Sequence, residues 1–178
     1  MNKINVLWLI SNHIQSLRDD DNKLSCGDII LHLITPIVLS SAACYLFKVM
    51  PSQVIGIMVN FGAITTALLM SAVIMVYDQK SKLIEKKNNE TVSDKITSYS
   101  KSIVLYKDLC KNICFAILTS IMIVTLSAIL SFYNPTSMSS GFPFYLFITT
   151  SFLCYFLFIL TMITFLMILK RFSTILEN

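Results

Sequence analysis

The chain has 178 residues, 55% of them hydrophobic and only 13% charged, with a formal net charge of +4 at neutral pH. Soluble domains carry about 25% charged residues, so this composition excludes an ordinary soluble domain and indicates an integral membrane protein. The five cysteines are odd in number and scattered, which argues against a secreted fold held together by disulfides.

Residues 3–18 have the spacing of an amphipathic helix, with apolar side chains on one side and polar ones on the other. Trp8 suits the boundary between membrane and water, so we interpret it as an interfacial anchor. We expect this helix to lie on the inner leaflet or against its own bundle, and the alternative is a cytoplasmic helix packed on a partner or on the central loop. Because its polar face has few basic residues, we expect its own attraction to anionic lipids to be weak.

Three stretches, 29–47, 49–77 and 112–169, contain no Asp, Glu, Lys or Arg. A helix needs about 20 apolar residues to cross the hydrocarbon core, and the third stretch supplies two helices because it breaks near Pro135 and Gly141. We therefore predict an all-α integral membrane protein with four transmembrane helices. The predicted spans are residues 29–47, 51–77, 112–132 and 144–169.

The first predicted span contains both a proline and a histidine. Pro36 predicts a kink, because proline has no N–H to donate to the preceding turn. His32 lies one turn earlier, near the cytoplasmic end of the span. We interpret it as a neutral histidine bonded to a neighbour or reaching the headgroups, and a proton relay is the alternative.

The second and third spans carry stripes of small or polar residues at helical spacing. Small residues let transmembrane helices approach closely, so we predict that the stripes pack within the bundle or between subunits. The lining of a polar pore is the alternative. The predicted packing residues are Gly56, Asn60, Ala63, Ala67, Ser71, Ser120 and Ser127.

A polar segment with eight lysines and five acidic residues, 78–111, separates spans two and three. After a T-x-x-D capping pattern at Thr91, apolar residues recur at heptad spacing and continue into the third span. We predict a cytoplasmic helical hairpin that packs on itself, pairs between subunits or binds a partner, and a solvated lysine-rich loop is the alternative. The predicted seam consists of Ile96, Tyr99, Ile103, Tyr106, Cys110 and Ile113.

Thirteen of the 14 basic residues fall on one side of this layout, which the positive-inside rule assigns to the cytoplasm. We therefore predict a multi-pass protein of a bacterial inner membrane with both termini in the cytoplasm. The predicted parts are the N-terminal helix (1–23), spans one and two (24–77), the hairpin (78–111), spans three and four (112–170) and a cytoplasmic tail (171–178).

The predicted spans lack the paired acids, Ser/His sets or metal ligands that chemistry within a membrane requires. We predict that the protein is not an enzyme and has no catalytic residues, metal, cofactor or small-molecule substrate. The net charge of the 78–111 segment is too small for direct binding of nucleic acid. Two classes remain: an interaction protein that binds its own copies and a cytoplasmic protein, and a channel or pore-forming effector.

In size, four-span layout, cytoplasmic termini and helical central segment, the chain resembles the four-span membrane subunit of the Kiwa bacterial anti-phage defence system. The resemblance covers the whole chain and is one of layout, without a diagnostic motif. It implies an inner-membrane homo-oligomer, taken here as a tetramer, that senses phage infection and recruits or regulates a cytoplasmic DNA-binding effector. Small pore-forming defence effectors share much of this layout, and they imply the alternative, a pore that disrupts the membrane when triggered.

Overall fold

The computed structural model describes residues 6–15, 27, 30–47, 50–132 and 142–177. Helix accounts for 96% of this part of the chain and no strand occurs in it, so the predicted all-α class is confirmed. The helices are α1 (Val6–Gln15), α2 (Thr35–Phe47), α3 (Ser52–Asn89), α4 (Ser93–Ser131) and α5 (Phe142–Glu177), with a π-helical turn at Ile30–Ile34 before α2.

Four segments are long and apolar enough to cross a membrane, as the sequence predicts. The shortest has 18 residues. At 1.5 Å per residue it measures about 27 Å, close to the thickness of the hydrocarbon core. The arrangement is consistent with a multi-pass membrane protein. The four segments are Ile30–Phe47, Ser52–Asn89, Ser93–Ser131 and Phe144–Ile175.

The helices α3 and α4 are longer than a membrane requires. They contain 38 and 39 residues, and each is therefore roughly 57 Å long. Because the stretches without charge end at Tyr77 and begin again at Asn112, the excess length of both helices lies at the same end. The last helix, α5, also continues past Lys170. We term residues 78–111 and 170–177 together the lysine-rich end.

A tight turn at residues 90–92 connects α3 to α4. Glu90 Oε1 accepts hydrogen bonds from the backbone N–H groups of Thr91 and Val92, at 3.2 and 3.3 Å. These bonds to the charged form lower the pKa of the Glu90 carboxyl. Val92 occupies the N-cap position and makes no side-chain capping bond. The predicted capping pattern at Thr91 is therefore not formed, and Glu90 orders the turn instead.

The π-helical turn Ile30–Ile34 stands directly before Pro36. The proline has no N–H to donate to the carbonyl of His32, four residues earlier, so the regular helical ladder is interrupted here. Thr35 Oγ1 donates to the carbonyl of Ile30 at 3.3 Å. The proline is thus accommodated by a wider, π-helical turn just before the start of α2.

The central helix of the protein is α4. It packs on α3 and on α5, α2 packs chiefly on α5, and α1 packs on α4. In the most apolar 18-residue stretch of α4, 44% of the residues are buried, against 17 or 22% in the other three spans. The helices α2 and α3, although consecutive in the chain, do not form a major packing pair. The bundle is therefore open between them, and both keep exposed outer faces.

Two apolar clusters fill the bundle, with hydroxyl groups between and beside them. The cluster toward the lysine-rich end is built around Leu109 and Ile113, and the other around Met58 and Ile123. Between the helices α4 and α5, the Oγ1 atom of Thr161 lies 2.8 Å from that of Thr119. Such bonds between transmembrane helices contribute roughly 0.6 kcal/mol each. The core therefore combines apolar packing with a few satisfied hydroxyls.

Candidate functional site

The predicted seam lies along one side of α4, and its residues differ in burial. Ile113 is fully buried, whereas the other five are partly buried. Tyr106 and Cys110 pack against the cluster that contains Leu109. Leu109, which the predicted seam omits, is itself fully buried. The part of the seam near the spans therefore packs on its own chain.

Farther from the spans, the seam borders an open groove of about 420 Å³. Leu83 of α3 forms one wall, and Ile175 of α5 closes one side. Two seam residues, Tyr99 and Tyr106, line it from α4. The groove arises because three helices continue beyond the spans without filling the space between them. The lining is Leu83, Ser98, Tyr99, Lys101, Ser102, Leu105, Tyr106 and Ile175.

Both histidines of the chain meet at the same end of the bundle. The ring centroids of His13 in α1 and His32 in the π-helical turn lie 5.9 Å apart. His13 Nδ1 donates a hydrogen bond to Asn112 Oδ1 at 3.0 Å. Its ring also stacks on Phe115, with centroids 3.9 Å apart and planes 5° from parallel. His13 thereby attaches α1 to the start of the third span.

The environment of His13 favours its neutral form. Burial lowers the pKa of His13 from 6.5 to about 4, and the nearby charges of His32 and Arg171 act in the same direction. The hydrogen bond to Asn112 opposes this shift and raises the pKa. At neutral pH the packed α1 helix therefore carries an uncharged His13.

The sequence interpretation did not anticipate the partners of either histidine. It expected His32 to bond a neighbour or to reach the headgroups, and the structure buries His32 next to His13. In the sequence, Asn112 was the residue that could have indicated this contact. It is the first residue of a long uncharged stretch, and a fully buried amide at that position requires a polar partner.

The predicted packing stripe separates into two groups. Ser120 and Ser127 are fully buried in the bundle, and Ser127 Oγ lies 3.2 Å from Cys154 Sγ. The α3 members are all exposed, so they do not pack within the bundle of one chain. Their packing between subunits stays a prediction. The exposed members are Gly56, Asn60, Ala63, Ala67 and Ser71.

The close approach of α3 to α4 occurs at a glycine outside the predicted stripe. A methyl group added to Gly62 would lie 2.7 Å from Val124 Cγ2 and 2.9 Å from the carbonyl oxygen of Ser120. Both distances are shorter than van der Waals contact. Gly62, rather than Gly56, therefore sets how closely the two helices pack.

Trp8, the predicted interfacial anchor, lies on the outer side of α1, and 62% of its surface is exposed. The described residues contain no cluster of three or more His, Cys, Asp or Glu side chains that could hold a metal ion. No family model matches the chain, and no curated protein or solved structure matches it either.

Proposed function

We propose that this protein is a non-enzymatic membrane scaffold and sensor, whose lysine-rich end forms a cytoplasmic helical hairpin that binds a soluble protein. One observation carries the proposal. The helices α3, α4 and α5 all continue beyond their uncharged stretches at the same end, and they leave an open groove there. Helices that serve only to cross a membrane have no need of this extra length.

The chemistry of the groove supports a protein partner. Leu83, Leu105 and Ile175 supply apolar surface, and Tyr99 and Tyr106 supply aromatic rings with hydroxyl groups. Tyrosine is enriched in protein interfaces, because one side chain offers both a large contact area and a hydrogen bond. The groove therefore suits an apolar side chain or a short helical turn of a soluble protein.

The four-span layout of the chain favours one class of partner. The resemblance to the membrane subunit of the Kiwa system implies that the partner is a cytoplasmic DNA-binding effector and that the signal is phage infection. The membrane is then the bacterial inner membrane, and the positive-inside rule places both termini in the cytoplasm. The modest charge of residues 78–111 leaves DNA binding to the partner.

The exposed stripe on α3 favours a second candidate, a channel or pore-forming effector. Asn60 and Ser71 lie on the outer face of α3, where copies of the chain arranged about an axis would bring them together. The buried hydroxyls of the core do not support a pore within one chain, because Thr119 and Thr161 bond each other. Ion flux in vesicles that contain the purified oligomer tests this candidate.

A pair of neighbouring substitutions tests the scaffold proposal. Leu105 lines the groove, whereas Val104 is 58% exposed and lies outside it. We expect Leu105→Asp to abolish binding of the soluble partner, because it places a charge in the apolar part of the groove. Val104→Asp is the matched control and should leave binding intact.

The measurement is the mass of the complex purified in mild detergent when the protein is expressed together with its neighbouring genes. A stoichiometric complex that Leu105→Asp removes and Val104→Asp retains supports the proposal. Circular dichroism and the elution volume of both variants establish that they are folded. A complex that persists in folded Leu105→Asp, or an oligomer without a soluble partner, would overturn it.

A further inference from the structure

A second pocket, of about 400 Å³, lies between α1, α3 and α4 where the spans begin. Tyr77, the last residue of one uncharged stretch, and Cys114, near the start of the next, both line it. These positions place the pocket at the depth of the lipid headgroups, by the same boundaries that define the spans. The lining is Trp8, Leu9, Tyr77, Lys80, Lys107, Cys110, Lys111 and Cys114.

Three lysines from two helices line this pocket: Lys80 of α3 and Lys107 and Lys111 of α4. Lys111 forms an ion pair with Asp108 at 2.9 Å. Within the described residues, Lys80 and Lys107 take part in no ion pair. The pocket therefore holds an excess of positive charge that one carboxylate does not neutralise.

Among the residues that the structure describes, Asp78 follows Tyr77 in the chain and already forms an ion pair. Asp78 lies 2.7 Å from Lys82 on the neighbouring turn of α3, so it is drawn toward a lysine outside the pocket. Lys107 and Lys111 are four residues apart and therefore project from the same side of α4. An anion that enters the pocket meets ammonium groups from both α3 and α4.

The remaining surface of the pocket is that of a membrane interface. Trp8 and Tyr77 are 62% and 67% exposed, and such aromatic side chains favour the headgroup level of a bilayer. Below Tyr77, the outward side chains of Ile74 and Met70 continue the same side of α3 into the span. An acyl chain has an apolar path there, directly below the lysines.

We propose that this pocket binds the phosphate-bearing headgroup of an anionic phospholipid. The lysines Lys80, Lys107 and Lys111 donate charge-assisted hydrogen bonds to the phosphate oxygens. The acyl chains lie along the outer side of α3. Basic pockets between membrane helices at the cytoplasmic face commonly recognise such headgroups. A free phosphate is also an anion, but it has no acyl chain to lie along the apolar side of α3.

The N-terminal helix forms one wall of this site. Trp8 and Leu9 of α1 line the pocket, and the bond between His13 and Asn112 fixes α1 on α4. The weak lipid attraction expected of α1 alone is consistent with this arrangement, because the lysines come from α3 and α4. The headgroup thus bridges α1 to the base of the hairpin.

Trp8 provides a direct reporter, because it is the chain's only tryptophan. The protein is reconstituted in phosphatidylcholine bilayers that contain the same minor fraction of either brominated phosphatidylglycerol or brominated phosphatidylcholine. Bromine quenches tryptophan fluorescence only at short range. We expect stronger quenching of Trp8 by the anionic lipid.

Charge-matched variants distinguish binding in this pocket from general electrostatic attraction between the lysine-rich end and anionic lipids. We expect Lys80→Gln, Lys107→Gln and Lys111→Gln combined to abolish the preference for phosphatidylglycerol. Each single change should lower the relative affinity about fivefold, at about 1 kcal/mol per lysine near a membrane surface. The control combines three changes of the same charge outside the pocket, Lys86→Gln, Lys87→Gln and Lys101→Gln, and should keep the preference.

Three results would overturn the proposal. They are equal quenching by the two lipids, equal loss of preference in the control variant, and removal of the preference by excess inorganic phosphate in a buffer of constant ionic strength. The last result would assign the pocket to a soluble phosphate. The measurement needs no soluble partner, so its outcome is independent of the scaffold proposal. Unchanged circular dichroism of each variant establishes that its bundle is intact.

Discussion

The two faces of α3 carry similar small residues but have different surroundings. On the inner face, Gly62 lies directly against the backbone of α4, and Leu69, two turns farther along α3, is also buried. On the outer face, no atom from another part of the described chain lies within 4 Å of a methyl group added to Gly56. Gly56 and Gly62 are six residues apart and therefore point about 120° apart at about 100° per residue. A stripe of small residues therefore identifies a helix face suited to close packing, but not the helix that packs there.

The largest effect expected within one chain comes from Gly62→Ala. The added methyl group collides with the carbonyl of Ser120, a backbone atom that cannot rotate away, so α3 and α4 must separate. Overpacking of this kind costs about 1–3 kcal/mol. Gly56→Ala is the matched control within one chain and, in a detergent that keeps the protein monomeric, should be neutral or slightly stabilising, since alanine favours helix. Unfolding midpoints in mild detergent measure both, and equal midpoints would contradict the different roles of the two glycines.

The association of subunits tests whether the outer face of α3 packs against another copy of the chain. Ala67 lies in the exposed α3 stripe, and Ala42 is an exposed residue of α2 outside it. We expect Ala67→Leu to dissociate the proposed homo-oligomer, because the larger side chain prevents close approach of helices. Ala42→Leu makes the same change in size and should leave the oligomer intact. Light scattering in mild detergent gives the masses. An unchanged mass for Ala67→Leu would place the subunit interface elsewhere.

The attachment of α1 should depend on pH, whereas the apolar contact of α3 with α4 should not. Because burial lowers the pKa of His13 from 6.5 to about 4, the detached helix binds a proton more readily than the packed one. Packing of α1 is therefore strongest above pH 6.5, and it weakens up to tenfold per pH unit as the pH falls from 6.5 toward 4. The fluorescence of Trp8 follows this change.

His13→Gln supplies the control for the pH dependence, since glutamine keeps a hydrogen-bonding group but does not titrate. We expect the fluorescence of Trp8 to change with pH in the unmodified protein and to stay flat in this variant. His32 also faces His13, and Arg171 adds a fixed positive charge. His32→Gln should therefore retain a transition. A transition that survives in His13→Gln would refute the role of His13.

The smallest effect expected is on the polar contact between α4 and α5. Thr161→Val removes the hydroxyl that bonds Thr119, and such bonds contribute about 0.6 kcal/mol on average. Thr149→Val is the control, because its exposed hydroxyl bonds the carbonyl of Tyr145 in its own helix. The difference between the two unfolding midpoints reports the contact between helices. A null difference would mean that apolar packing alone holds α4 on α5.

The positions of the four spans could be predicted because they follow from local composition. Stretches without charge, bounded at Tyr77 and Asn112, locate the membrane segments without any knowledge of contacts. The same boundaries also bring the N-terminal helix, the central segment and the end of α5 to one end of the bundle. The prediction of four apolar helices depends only on these properties of single segments.

The contacts between helices could not be predicted in the same way. Whether Gly56 or Gly62 faces α4 depends on the rotation of α3 about its own axis. The spacing of residues along the sequence does not specify that rotation. The meeting of His13 with Asn112 joins residues 99 positions apart. No local pattern specifies such a pair. Leu109 of α4 is fully buried but is absent from the predicted seam, because a repeat in the sequence does not specify which side of a helix faces its neighbours.

The continuity of α4 across the boundary at Asn112 has a mechanical consequence. Residues 93–111 form one uninterrupted helix with the span, and α3 braces them through the short turn at Glu90. This segment is about 28 Å long, so a tilt of about 10° within the bilayer displaces its tip by about 5 Å. The segment is a stiff lever whose pivot lies at Asn112, beside His13 and the pocket lysines. Small changes in how the spans lean are thereby amplified at the tip without any residue changing its secondary structure.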